Sequence, residues 1–130
     1  MRMWNVKPEV MCRKHLLGEH VEMHMFLSAL TSGKKLDGYV RSGFVEIHNI
    51  KRRHNELAQE MVRRGYRHNS PMEDMPFLAM SGSVESKRSY EELRFRCAKC
   101  ERRIQKSTNN HSARSKQPHL QEAQWLTNFN

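Results

Sequence analysis

The sequence predicts an all-α protein: a single compact domain of three main helices over residues 1–105, then a flexible basic C-terminal tail over 106–130. Three observations carry that reading. Apolar residues recur at spacings of three and four in three separate segments, and no alternating strand pattern competes with them. At 130 residues the chain is long enough to bury one core, not two. After Ile104 the composition turns polar and basic, "QKSTNNHSARSKQPH", with too little apolar surface to repay ordering.

The first helix is expected from Pro8, a residue favoured in an opening turn, to about Leu30, where "TSGKK" stops it. Val10, Leu17, Val21 and Met25 form one apolar face and Leu16, Met23, Phe26, Leu27 and Leu30 a second. A helix apolar on two sides belongs between other elements. The glycine-rich "TSGKKLDGYVRSG" reads as a weakly ordered loop. In the second helix Ile47, Ile50, His54, Leu57 and Met61 share a stripe, and Gly65 stands just past the basic end as a natural C′ residue. "YRHNSPMEDMP" is a turn-rich connector. The third helix repeats Tyr90, Leu93, Cys97, Cys100 and Ile104. Ser89 with Glu92 offers a capping box, and a start nearer Ser83 is the alternative. An aromatic patch, "WLTNF", running from Trp125 to Phe129, closes the chain.

The charge balance selects the partner. With 23 Lys and Arg against 14 Asp and Glu, the formal net charge is +9. That surplus attracts polyanions, nucleic acid first and an anionic membrane second. No apolar run approaches the roughly 20 residues that span a bilayer. The N-terminus lacks an apolar core of the kind that directs export. A soluble protein of a reducing, cytoplasmic compartment is expected, and three cysteines (Cys12, Cys97, Cys100) argue against a disulfide framework. The cations gather in "GKK", "KRRH", "RRGYRH" and "RFR…ERR" with aromatics between them, as on a surface that neutralises several phosphates. No helix-turn-helix spacing is present.

Three constellations carry chemistry. "CAKC" has zinc-pair spacing, but no second C-x-x-C exists, and His111 and His119 are loosely placed downstream candidates. Both cysteines also lie on the apolar stripe of the third helix, so core cysteines are preferred over a zinc site, and a zinc site over redox chemistry. In "HVEMH", His20 and His24 share a helix face, but the glutamate is misplaced for a zinc protease, and a solvated or DNA-facing surface is expected. His15, Gly18 and Glu22 fall on one line of the first helix with Glu19 beside it. Gly18 costs about 1 kcal/mol in a helix interior, which close approach of another chain or a ligand would offset, although composition alone favours a solvated or salt-bridged stripe.

Together these residues resemble a family. Arg2 behind the terminus, "KHLLGEHVE", "SGKKL", and "KRRHNELAQEMVRRGY" with its Arg-Arg-Gly-aromatic corner look like the phage-type pyrimidine-dimer DNA glycosylases with abasic-site lyase activity, over roughly residues 1–68. The resemblance implies that the chain's α-amine attacks the sugar C1′ of the damaged nucleotide. A Schiff base then forms, the base leaves, and β-elimination cuts the strand. An α-amine titrates near about 8, far below a lysine near about 10.4, so it supplies a neutral nucleophile at pH 7 without heavy desolvation. The family's carboxylate falls on Glu22. Arg2, His15, Gly18, Lys34, Lys35, Arg63 and Arg64 fall where DNA is expected.

Met1 is expected to stay in place before bulky Arg2, so its own amine is the expected nucleophile. Val21 and Met25 stand where the family has arginines. The expected partner is double-stranded, UV-damaged DNA, bound by a monomer without metal or cofactor in a bacterial host cell if the chain is phage-encoded. Two readings stay open beside it: a non-catalytic basic DNA-binding phage protein of the same fold, and a small zinc protein built on Cys97 and Cys100.

Overall fold

A computed structural model describes residues 1–74 and 80–114, with side chains as far as Asn109. Among these residues five helices follow one another: α1 (Arg13–Thr31), α2 (Asp37–Arg41), α3 (Ile50–Arg63), α4 (Ser86–Arg96) and α5 (Ala98–Arg114). Single 3-10 turns at Pro8–Val10 and Ile47–Asn49 precede α1 and α3, and no strand occurs among the described residues. None of the described helices is long and apolar enough to cross a membrane.

The N-terminal segment is part of the core. Met3, Trp4 and Val6 are buried, and Met3 N–H donates to Phe44 O at 2.6 Å. Asn5 adopts a positive φ of 57°, a conformation its short polar side chain tolerates. Its carbonyl accepts from Ser86 Oγ at 2.9 Å, which ties the turn to the start of α4.

Helix α1 packs chiefly on α3. Both end as their glycines predict. After α1, Gly33 N–H reaches Leu30 O and Lys34 N–H reaches Ala29 O; after α3, Gly65 N–H reaches Val62 O and Tyr66 N–H reaches Met61 O. Each glycine holds a positive φ, 77° and 84°, which closes the paired-bond terminus at no Cβ penalty. Between the helices sits a buried ion pair. Arg53, 1% exposed, donates to both carboxylate oxygens of Glu19 and to Val6 O at 2.7 Å.

Several expectations need correction. Helix α1 is not sandwiched. Leu16, Glu19, His20, Met23 and Phe26 are buried, whereas Val21 and Met25 are 55% and 49% exposed. The segment expected as a loop holds α2, because Leu36 is buried and Tyr39 packs edge-on against Phe26 at 5.3 Å. Ser89 caps nothing: α4 starts at Ser86, and Ser89 is buried within it. The third helix is broken in two at Cys97, whose extended φ and ψ of −135° and 108° separate α4 from α5. Helix α5 runs on to Arg114, past the boundary expected at 105. The rest of the expected tail, Trp125 and Phe129 included, lies outside the described residues.

A candidate active site at the N-terminus

The extended N-terminal segment brings its first residue onto α1. The Met1 amine lies 3.9 Å from Oε1 of Glu22, both groups being partly buried. Burial, foremost, raises the Glu22 carboxyl above its ordinary range. The facing amine and a hydrogen bond from the Arg2 backbone N–H pull in the other direction. A carboxyl poised in this way, next to an amine, has the equipment for proton transfer at a carbon the amine attacks.

Arg2 is not a free cation. It is 8% exposed, its guanidinium stacks 3.8 Å over the Trp4 ring and 4.5 Å from Phe44, and it pairs with Glu92 of α4. It anchors the extended terminal segment to α4. Glu19, the other carboxylate of the stripe, is committed to Arg53.

The rest of the expected DNA contacts divide. Lys34, Lys35 and Arg63 are exposed, Arg63 while paired with Glu60. Arg64 is tied inward, donating to Met11 O at 2.7 Å and to Glu60 at 2.7 Å. Gly18 is exposed, and a Cβ there would meet nothing within 4 Å, so the N-terminal segment does not lie over it. Nor does His15 face outward for DNA. Its Nδ1 sits 3.2 Å from Cys12 Sγ and 3.7 Å from Cys100 Sγ, with its ring edge-on to Trp4.

Nor does His20 lie at the surface with His24, where the sequence predicts it. His20 is buried, and its ring centroid is 4.6 Å from that of His54, 4.9 Å from His68 and 5.1 Å from His24. Burial, then the neighbouring His54, pushes the His20 pKa down to about 4, so the imidazole stays neutral. The physical reason is the crossing of α1 on α3, which turns this face of α1 inward.

Among the described residues two groups could hold a metal ion: Cys12, His15, Cys97 and Cys100, and separately His20, His54 and His68, each with its donor atoms within 4.8 Å of one another. The second set is the weaker, because His54 already uses Nε2 toward Ser70 O at 3.0 Å and Nδ1 toward the Asn55 side chain at 2.9 Å. His111 and His119, the downstream candidates, lie outside the described side chains.

Sequence reasoning passed over one further feature. An open cleft of about 580 Å³ is walled by Arg13, Arg64, Lys99, Arg102, Arg103 and Lys106, with Tyr66 and Cys12. The signal was present in "RFR…ERR", but only the fold sets that stretch against the start of α1.

A basic helical fold, strand-free among the described residues and with its amino terminus drawn up to a half-buried glutamate, defines the class of small, polyanion-directed helical proteins. The sequence model of the pyrimidine dimer DNA glycosylase family matches residues 1–74, more than half of the chain, and the protein belongs to that family. Membership assigns it to DNA repair, with DNA as its substrate. No curated protein and no solved structure matches the chain.

Proposed function

We propose that the protein is a pyrimidine-dimer DNA glycosylase with abasic-site lyase activity, working through a Schiff base on the Met1 α-amine. The observation that carries this reading is the 3.9 Å approach of that amine to the half-buried Glu22 carboxyl. The neutral amine attacks C1′ of the damaged nucleotide. The glycosidic bond breaks, and the base leaves with its electron pair and takes up a proton. Ring opening gives an imine between Met1 N and C1′. Removal of a C2′ proton then expels the 3′ phosphate by β-elimination. Glu22 is the group suited to move these protons and to face the cationic sugar.

The exposed Val21 and Met25 beside Glu22 support an apolar contact with unstacked bases, while Lys34, Lys35, Arg63 and the basic cleft suit phosphates. Borohydride reduction of the imine tests the reading. Wild-type protein on abasic-site DNA should give a covalent adduct, lost when the terminus is acetylated and strongly reduced in Glu22→Gln. No adduct, or one undiminished by either change, would overturn it. Salt-sensitive binding without cleavage would leave the non-catalytic alternative standing.

A further inference from the structure

The three cysteines and His15 converge on one point, although they come from the two ends of the described chain. Cys12 is the N-cap of α1, and His15 lies in its first turn. Cys97 occupies the break before α5, and Cys100 lies in the first turn of α5. Two helix N-termini, each offering a donor at the cap and another three residues on, therefore meet face to face. We propose that Cys12, His15 Nδ1, Cys97 and Cys100 form a structural, four-coordinate zinc site.

The distances suit the ion. Ligands about 2.3 Å (sulfur) and about 2.0–2.1 Å (nitrogen) from a tetrahedral zinc stand about 3.5–3.8 Å apart. Here Cys12 Sγ is 3.8 Å from Cys97 Sγ and 3.2 Å from His15 Nδ1, and His15 Nδ1 is 3.7 Å from Cys100 Sγ. All four donor atoms lie within 4.8 Å of one another.

The surroundings suit thiolates. Cys12 N–H donates to Cys100 Sγ at 3.2 Å, and Cys100 N–H donates to Cys97 Sγ at 3.4 Å. Backbone donors of this kind hold thiolate ligands in place, and the positive ends of two helices add to them. Each cysteine would give its thiol proton to solvent on binding. Three thiolates, one neutral imidazole and the dication leave one net negative charge, which Arg13 and Lys99 on the adjoining cleft wall offset.

The site also accounts for two features that helix propensity does not. Cys97 breaks a continuous apolar stripe with neither glycine nor proline at the break. The break turns Cys97 and Cys100 toward Cys12. The linkage further clamps α4 and α5, which lie outside the 1–74 family match, onto the start of α1. It therefore holds the helix that carries Glu22, and it stands whether or not the catalytic reading does.

Metal analysis of the full chain, purified under reductant from zinc-supplemented cells, should find a single equivalent of zinc. Cobalt(II) added to the demetallated chain should give thiolate-to-cobalt charge-transfer bands and the intense visible bands of a tetrahedral site. Cys97→Ser and Cys100→Ser should each reduce bound zinc to background, whereas His15→Cys, which keeps four donors, and His20→Gln should retain it. A metal-free chain without cobalt–thiolate bands overturns the proposal. So does zinc that survives Cys97→Ser but leaves with His20→Gln, or a Cys12–Cys97 disulfide in rapidly alkylated cell lysate. Should the serine variants fail to fold, the cobalt spectrum of the wild-type chain decides.

Discussion

The amine of Met1 and the carboxylate of Glu22 stand 3.9 Å apart, although they are 21 positions apart in the chain, with the 3-10 turn at Pro8–Val10 between them. The pair brings together stability and function of opposite sign. Because burial raises the Glu22 pKa, the ionised form is the disfavoured one in the folded state. Glu22→Gln should therefore raise the melting temperature at neutral pH. The gain should vanish in acid, below the ordinary carboxylate range, where both states are protonated. The same change should lower strand cleavage by about 10²–10⁴-fold, the usual contribution of a positioned acid–base group. Paired melting curves at the two pH values and single-turnover cleavage check both halves.

Glu19 and Arg53 test how α1 is held on α3. Glu19→Gln takes the buried member of its two carboxylate partners from the Arg53 guanidinium and leaves only the more exposed Glu56 at 3.2 Å, and loss of one member of a buried pair costs about 3–5 kcal/mol. Urea denaturation should show that loss, with Met1–Glu22 chemistry impaired only as far as the fold is. A change under about 1 kcal/mol would contradict a buried pair.

The histidine cluster predicts a distinct acid response. His20 has its pKa lowered from 6.5 to about 4 in the folded chain, so the unfolded state binds a proton first as pH falls. Stability should accordingly decline from about pH 6.5 down to about pH 4 and be restored above that window. In His20→Gln this decline should flatten. Chemical denaturation across the range measures it.

Gly18 separates packing from ligand approach. A methyl group there meets nothing within 4 Å, and glycine inside a helix costs about 1 kcal/mol relative to alanine. Gly18→Ala should stabilise the protein by about that amount. Weaker DNA binding in the same variant would show that the backbone approaches DNA at this point, and unchanged binding would remove Gly18 from the interface.

Val21 stands beside Glu22 and is 55% exposed, so an arginine introduced there has room to reach a phosphate. Val21→Arg should tighten binding to duplex DNA and steepen the log–log salt dependence by about 0.9 per added contact. Fluorescence anisotropy over a salt series reads both. An unchanged slope would place this face of α1 away from the backbone.

What the sequence by itself determined was local. The 3.6-residue periodicity marked α1 and α3, Gly33 and Gly65 marked their ends, and the charge surplus marked a polyanionic partner, because each depends on residues within a turn or two or on composition alone. The motif "KHLLGEHVE" singled out Glu22 through resemblance. What only the tertiary structure decided was which side chains face each other. The crossing of α1 on α3 turned His20 inward and paired Glu19 with Arg53. Burial of the extended N-terminal segment took Arg2 out of solvent and set Met1 against Glu22. The break at Cys97 joined a Cys-x-x-His and a Cys-x-x-Cys that lie more than 80 residues apart in sequence. Neither pair is a complete metal site alone, and spacing along a chain carries no information about contacts made across a core.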